Sequence, residues 1–132
     1  MSDAARPRVL IVEDDPDLRR ILSLLLSNRG YDTATAENGA AGFTALQGEL
    51  PDCVILDLMM PVMDGFELLK RIRTVSRTSR LPVLILTASE DERHRLKSTQ
   101  YLADAYANKP YNVDELVAIL GRMLAVPAAA SS

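Results

Sequence analysis

Five polar side chains stand at the ends of apolar runs in this sequence, and their types suit phosphoryl chemistry. Carboxylates close the first and third runs, and a hydroxyl and an ammonium close the fourth and fifth: Glu13, Asp14, Asp57, Thr87 and Lys109. Clustered carboxylates repel one another unless a cation joins them, and Mg²⁺ prefers oxygen ligands and shares phosphate oxygens. Lys109 would add a positive charge, and Thr87 a hydroxyl donor. These types predict a cage for a phosphoryl group, with Asp57 as its nucleophile.

The elements that must position these residues alternate between strands and helices. Continuous apolar runs predict strands at residues 8–12, 53–57 and 82–87, and weaker patterns predict two more at 31–35 and 103–107. The alternation indicates an α/β fold, a (βα)₅ doubly wound parallel sheet with right-handed crossovers. For strand order 2-1-3-4-5, the first and third strands flank the point where the order reverses, and ligands bind at the carboxyl ends there.

Polar residues mark where the helices begin. Asp15, Asn38 and Asp64 precede the first three helices as N-caps. Asn112 with Glu115 is a variant of the capping box before the last helix. A helix is also expected over residues 90–100, although that segment has few apolar residues.

Apolar stripes indicate which helix faces are buried. The first helix is predicted to bury a stripe at helical spacing: Leu18, Ile21, Leu22 and Leu25. The last helix is predicted to bury a similar stripe: Leu116, Leu120 and Met123. Ile119 widens this second stripe, and it is either buried with the stripe or part of an exposed apolar patch, which would mark a partner site.

Composition narrows the class of protein. The chain has 132 residues, which favours one domain, and its net charge of −3 argues against nucleic acid or a membrane as a partner. A single cysteine, Cys53, reads as a small buried hydrophobe and favours a reducing, cytoplasmic location. No segment has the pattern of a signal peptide or the length of a membrane span. Residues 1–7 are expected to be disordered, 8–125 to fold, and 126–132 to form a flexible tail or linker remnant.

Four motifs give the chain a strong resemblance to the receiver domain of two-component response regulators, the CheY-like family. They are VLIVEDD, VILDLMMPVMDG, LILTAS and YANKPY, in the family's order and spacing. The resemblance implies a flavodoxin-like fold, and the strand order 2-1-3-4-5 used above is the order of this family. It implies phosphorylation-dependent signalling in a two-component phosphorelay. A sensor histidine kinase or phosphotransfer protein would be the donor, and the effector protein or domain would lie outside this chain.

The resemblance also implies roles for individual residues at the metal site. Asp57 would be the phosphoacceptor. Asp14, Asp57 and the backbone carbonyl of Met59 would ligate Mg²⁺, and Glu13 would act through a metal-bound water. Lys109 would pair with the phosphoryl oxygens.

Two further residues would form the switch of the same family. Thr87 would donate a hydrogen bond to the phosphoryl group, and Tyr106 would turn inward as Thr87 moves. The signalling face would consist of the fourth helix, the fifth strand and the fifth helix. The domain would not be a turnover enzyme, although it would catalyse its own phosphotransfer and slowly hydrolyse its acyl phosphate.

Structural roles remain open for some of these residues. Asp15 is better explained as a helix cap than as a ligand, and Tyr106 could be a half-buried strand residue. Arg73, Arg77 and Arg80 could help dock a kinase, but a solvated basic face is the simpler interpretation.

Three alternatives compete with the interpretation that this chain is a stand-alone receiver that accepts a phosphoryl group. A Mg²⁺-dependent phosphatase with an aspartate nucleophile usually has a second aspartate two residues later, where this chain has Met59. A receiver that binds partners without phosphorylation would not need all of the site positions filled. The domain could also be one part of a larger regulator or hybrid kinase. Leu102 and Ala105 replace residues that are usual in the family before and within the fifth strand.

Overall fold

A computed structural model describes residues 6–58, 60, 63–87, 91, 103–109 and 111–131, with side chains as far as residue 124 in the last helix. Met59, Leu102 and most of the helix expected at residues 90–100 lie outside the described residues. No helix among the described residues is both long enough and apolar enough to cross a membrane.

Five parallel strands form the sheet that the alternation predicts. They are β1 (Arg8–Val12), β2 (Asp32–Ala36), β3 (Cys53–Asp57), β4 (Val83–Thr87) and β5 (Ala105–Asn108). Their order is β2-β1-β3-β4-β5, so the predicted fold class and strand order are confirmed. Val12 pairs with Leu56, and Thr87 pairs with Asn108. This register brings the carboxyl ends of the strands to one edge of the sheet.

The described helices are α1 (Pro16–Asn28), α2 (Gly39–Leu46), α3 (Gly65–Thr74) and the last helix (Val113–Ser131). Each begins at its predicted cap, because a side-chain oxygen accepts hydrogen bonds from first-turn amides: Asp15, Asn38, Asp64 and Asn112. The last helix extends to Ser131, although Pro127 lies within it, and the flexible tail or linker remnant expected at residues 126–132 stays a prediction. The limits of the folded domain, 8–125, stay a prediction.

Alternation along the strands divides the core into two layers. One set of strand side chains, including Leu10, Val12 and Leu56, packs with α2 and α3. The other set, including Ile11 and Cys53, packs with α1 and the last helix. Burial raises the pKa of the Cys53 thiol to about 12, so it stays protonated and serves as the small apolar residue that was predicted.

The predicted buried face of α1 is partly wrong. Leu22 and Leu26 are fully buried, whereas Leu18 is 37% exposed and Ile21 is 48% exposed. The hydroxyl of Ser23 contacts that of Thr33 on β2 at 2.7 Å, so the serine side of the helix lies against the sheet. Leucines occur nearly all round this helix, and their spacing alone therefore allows more than one buried face.

Of the three arginines Arg73, Arg77 and Arg80, the first two have structural roles. Arg73 donates to the carbonyl oxygen of Leu81 at 2.6 Å and pairs with Asp104 at 2.8 Å. Arg77 donates to the carbonyl oxygens of Leu46 and Gly48. These bonds tie the segment between α3 and β4 to its neighbours, so Arg73 and Arg77 have a structural role, and a contact of this stretch with a kinase stays a prediction.

Candidate functional site

The acidic residues at the strand ends converge as the topology requires. Asp57 ends β3 and is 4% exposed, and Glu13 follows β1 and is 1% exposed. One carboxylate oxygen from each of Glu13, Asp14 and Asp57 lies within 4.8 Å of the others. Charged groups that are this buried need a partner, because removing a carboxylate from water costs several kcal/mol. The cluster is therefore suited to binding a cation.

Lys109 supplies one positive charge to this cluster. Its Nζ lies 3.1 Å from Oδ2 of Asp57 and 3.5 Å from Oε1 of Glu13. Its backbone amide donates to the carbonyl oxygen of Thr87 at 2.8 Å, which fixes where the side chain begins. Burial alone would lower the pKa of Lys109, but the attraction of Asp57 and Glu13 outweighs burial and raises it. The ammonium therefore stays charged at neutral pH.

Glu13 carries the signs of an unsatisfied ligand. Its Oε2 accepts a hydrogen bond from the amide of Asp15 at 3.2 Å. Its Oε1 is buried and has no hydrogen-bond partner, apart from the ion contact with Lys109. Burial, with a smaller contribution from Asp57, raises the pKa of Glu13 to about 7. A buried acceptor without a hydrogen bond is costly, so this oxygen is suited to a cation or to a water that a cation holds.

The donor set fits a hard divalent ion. Three carboxylates and one ammonium leave two negative charges uncompensated when all of these groups are ionised. Oxygen ligands, in a site open enough to admit water and phosphate oxygens, are what Mg²⁺ requires. The chain can therefore hold a metal through Glu13, Asp14 and Asp57, while Met59, the fourth predicted ligand, lies outside the described residues.

The two predicted switch residues share one face of the sheet. Thr87 ends β4 and is fully buried. Ile85, two residues earlier and hence on the same face as Thr87, pairs in register with Tyr106 on β5. Tyr106 is half-buried and packs against the core layer of α2 and α3. Thr87 and Tyr106 thus lie on the same face of the sheet, with Tyr106 paired to the residue two positions before Thr87.

Two glycines at helix starts support the loop that follows Asp57. The Gly65 amide donates to the carbonyl oxygen of Leu58 at 2.9 Å, and a Cβ at Gly65 would lie 2.5 Å from the Asp57 carbonyl oxygen. The Gly39 amide donates to the carbonyl oxygen of Met63 at 3.0 Å, and a Cβ there would lie 2.2 Å from that oxygen. Neither contact was predicted from the sequence, although a glycine directly after an N-cap could have indicated that another backbone segment packs closely there.

Comparison with known proteins identifies the family of this chain. The family model for the response regulator receiver domain matches residues 9–121. The DNA-binding dual master transcriptional regulator RpaA of Synechocystis is 38% identical over 118 residues, which is 89% of this chain and 49% of that protein. The chain thus spans about half the length of the curated relatives that it matches first, apart from a hybrid histidine kinase of which it spans less.

Solved structures show the same architecture. Chemotaxis protein CheY4 of Vibrio cholerae superposes with a TM-score of 0.82 at 34% identity, covering 91% of this chain and 100% of that one. The receiver domain of the Pseudomonas aeruginosa sensor histidine kinase PA1611, described with a magnesium ion coordinated in its active site cleft, gives 0.83 at 27% identity and covers 92% and 99%. Five strands in the order 2-1-3-4-5, an acidic cluster at their carboxyl ends and the family match together show that the chain belongs to the response regulator receiver domains, which act in phosphorylation-dependent signalling by two-component systems.

Proposed function

We propose that this domain accepts a phosphoryl group on Asp57 from the phosphohistidine of a sensor histidine kinase or phosphotransfer protein. The observation that carries this proposal is the position of the Asp57 carboxylate at the end of β3, where it lies in one cluster with Glu13 and Asp14 and 3.1 Å from Lys109. An Asp57 oxygen forms a bond to phosphorus as the P–N bond of phosphohistidine breaks, and the histidine keeps the electron pair of that bond.

Mg²⁺ is the cofactor that the donor set supports best. Asp14 and Asp57 would hold it directly together with the Met59 carbonyl, and Glu13 would act through a water. The unsatisfied Oε1 of Glu13 and the two uncompensated charges support this assignment. The Pseudomonas receiver, which has a similar fold, is described with magnesium in its cleft. When bound, Mg²⁺ offsets the negative charge of the phosphoryl oxygens.

Lys109 and Thr87 would bind the remaining phosphoryl oxygens. Lys109 starts from a position 3.1 Å from the acceptor carboxylate, so a small movement would transfer its contact to a phosphoryl oxygen. Thr87 would donate its hydroxyl hydrogen to another. Catalysis by these groups is positioning and charge neutralisation. The domain would therefore promote its own phosphorylation and slowly lose the phosphoryl group to water, without acting as a turnover enzyme.

A movement of Thr87 toward the phosphoryl group would carry the signal. If Thr87 moves toward the phosphoryl group, space opens on the face that it shares with Tyr106, and Tyr106 can turn inward. The side chain of Tyr106 would then change the surface formed by β5, the last helix and the segment before β5. An effector protein or domain outside this chain would bind the altered surface.

Of the two alternatives for Ile119 on the last helix, the structure shows the buried one. Ile119 is 8% exposed and packs in the core layer of α1 and the last helix. Among the described residues, the large apolar side chains that are exposed are Leu18, Ile21, Leu24 and Val75. Three of these lie on α1, so they replace Ile119 as evidence for an apolar partner surface.

We infer that the phosphoryl donor contacts this strip on α1. Leu18, Ile21 and Leu24 follow one another at three-residue spacing, which places them along one side of the helix. The helix starts directly after the acidic residues, so a protein bound to the strip would lie next to Asp57. Exposed apolar side chains grouped in this way mark a protein interaction site.

Site mapping tests the central assignment. The protein is incubated with acetyl phosphate and Mg²⁺, and borohydride then reduces the acyl phosphate so that the modified residue survives peptide mass spectrometry. Reduction at Asp57 is expected. Reduction at another carboxylate, with Asp57 unmodified, would remove the basis for the proposal.

A further inference from the structure

Arg19 connects α1 to the backbone of the acidic residues. Its Nη1 donates to the carbonyl oxygen of Glu13 at 2.8 Å, and the carbonyl oxygen of Asp14 lies 3.5 Å from the same atom. The Arg19 side chain is half-buried, and its own amide makes the helical bond to Asp15 at 2.9 Å. Arg19 is thus fixed to the helix at one end and holds the end of β1 at the other.

The acidic segment needs such a restraint. The Glu13 amide still bonds to Ala36 of β2, at 3.1 Å, but the segment leaves the sheet after this bond. Beyond that point the carboxylates of Glu13, Asp14 and Asp57 repel one another when all three are ionised, because Lys109 compensates only one of their charges. A hydrogen bond from a charged guanidinium is stronger than one between neutral groups, so Arg19 can oppose this repulsion by holding the Glu13 carbonyl in place.

We propose that Arg19 is a positioning residue for the metal and phosphoryl site. Its guanidinium holds the backbone of Glu13 and Asp14 so that both carboxylates remain directed at Asp57 before a cation arrives. Both of these hydrogen bonds end on backbone carbonyl oxygens, so Arg19 acts through the backbone and not on the reacting atoms or the carboxylate oxygens. This inference rests on the proposed function, because it assumes that the cluster binds Mg²⁺.

Positioning and simple charge predict opposite effects on metal affinity. Arg19 adds a positive charge near three carboxylates, so if charge were its only contribution, removing it would strengthen Mg²⁺ binding. If Arg19 positions the acidic residues, removing it lets them move apart and weakens Mg²⁺ binding. The sign of the change therefore distinguishes the two roles.

The test uses three variants and Mg²⁺ itself. Arg19→Met has a similar length but neither charge nor donor, and Arg19→Lys keeps the charge with a single donor group. Arg20→Met is the matched control, because Arg20 is exposed and pairs with Asp17 on the same helix at 3.2 Å. Titration calorimetry gives the Mg²⁺ dissociation constant at fixed ionic strength, and urea unfolding in EDTA verifies that each variant folds.

Arg19→Met is expected to weaken Mg²⁺ binding about tenfold, the lower end of what loss of an orienting partner costs at metal sites. Arg19→Lys should bind Mg²⁺ more tightly than Arg19→Met and less tightly than wild type. If Arg19→Met does not fold, the Mg²⁺ affinity of Arg19→Lys alone tests whether Arg19 is a positioning residue. Arg20→Met should match wild type. An unchanged or tighter constant in the folded Arg19 variants overturns the role of Arg19 alone. Absence of Mg²⁺ binding by wild type would overturn the proposed function and this role together.

Discussion

The ammonium of Lys109 lies 3.1 Å from Oδ2 of Asp57, although the strands that lead to these two residues are not neighbours in the sheet. Asp57 ends β3 and Lys109 follows β5, with β4 and its buried Thr87 between them. The ion pair therefore spans the edge of the sheet over the place where the threonine hydroxyl would meet a phosphoryl group. The stability of the site and its chemistry depend on the same charges, those of the acidic cluster and Lys109, so substitutions of these residues test both.

Glu13 should make the metal-free protein less stable as the pH rises. Its pKa is raised by burial from 4.5 to about 7 in the folded state, so between these values the folded state binds more protons than the unfolded state. The free energy of unfolding therefore falls with rising pH across this window, by an amount on the order of 2 kcal/mol. Urea unfolding in EDTA at pH 5 and pH 7.5 measures this, and Glu13→Gln should lose that part of the dependence. A pH dependence that is identical in Glu13→Gln would show that another group causes it.

Mg²⁺ should raise the melting temperature of wild type, because the metal binds the converged carboxylates that only the folded state has. Asp14→Ala should raise the melting temperature in EDTA by relieving repulsion, and it should also abolish the response to Mg²⁺. Thermal unfolding with and without Mg²⁺ at fixed ionic strength checks both effects. Equal Mg²⁺ shifts in wild type and Asp14→Ala would mean that the metal binds elsewhere.

Gly65→Ala should disturb the phosphoacceptor through its backbone. An added Cβ would lie 2.5 Å from the Asp57 carbonyl oxygen, so the free energy of unfolding should fall by about 1–3 kcal/mol and phosphorylation should slow. Gly121→Ala is the matched control, because nothing lies within 4 Å of its Cβ position. In the last helix that change should stabilise the protein by up to about 1 kcal/mol. Urea unfolding and acetyl phosphate kinetics measure both variants, and wild-type values for Gly65→Ala would refute the close contact.

The apolar strip on α1 should affect transfer from a protein donor and not from a small molecule. Replacing Leu18, Ile21 and Leu24 by serine should slow phosphotransfer from a histidine kinase that phosphorylates wild type, because the donor loses its contact. The rate with acetyl phosphate should stay unchanged. Val75→Ser is the control, because Val75 is as exposed as Leu18 and lies just after α3. Equal loss with both donors would locate the defect in the site, and no loss with either would remove the strip as a docking surface.

The sheet and the convergence of the acidic residues could be predicted because their signals are local. A continuous apolar run that ends at Asp57 indicates a buried strand, and Asp15 before Pro16 indicates a helix start. Once strands and helices alternate, the carboxyl ends of the strands must meet at one edge. With the strand order that the family resemblance implies, β1 and β3 are neighbours, so the convergence of Glu13, Asp14 and Asp57 follows without any knowledge of side-chain contacts.

Other features depend on tertiary contacts that no periodicity encodes. The buried face of α1 could not be chosen, because Leu22, Leu24 and Leu26 allow more than one orientation and the serine contact with Thr33 decides between them. Arg19 and Arg77 reach carbonyl groups on other elements, and a long flexible side chain gives no sign in the sequence of which group it will meet.

Intact-mass measurement after incubation with acetyl phosphate and Mg²⁺ tests the central claim most directly. Wild type should gain one phosphoryl group, and EDTA should prevent the gain. Asp57→Asn should gain none, whereas Asp17→Asn, which changes an exposed carboxylate in the first turn of α1, should match wild type. A phosphoryl adduct on Asp57→Asn in the same yield as on wild type would contradict the account.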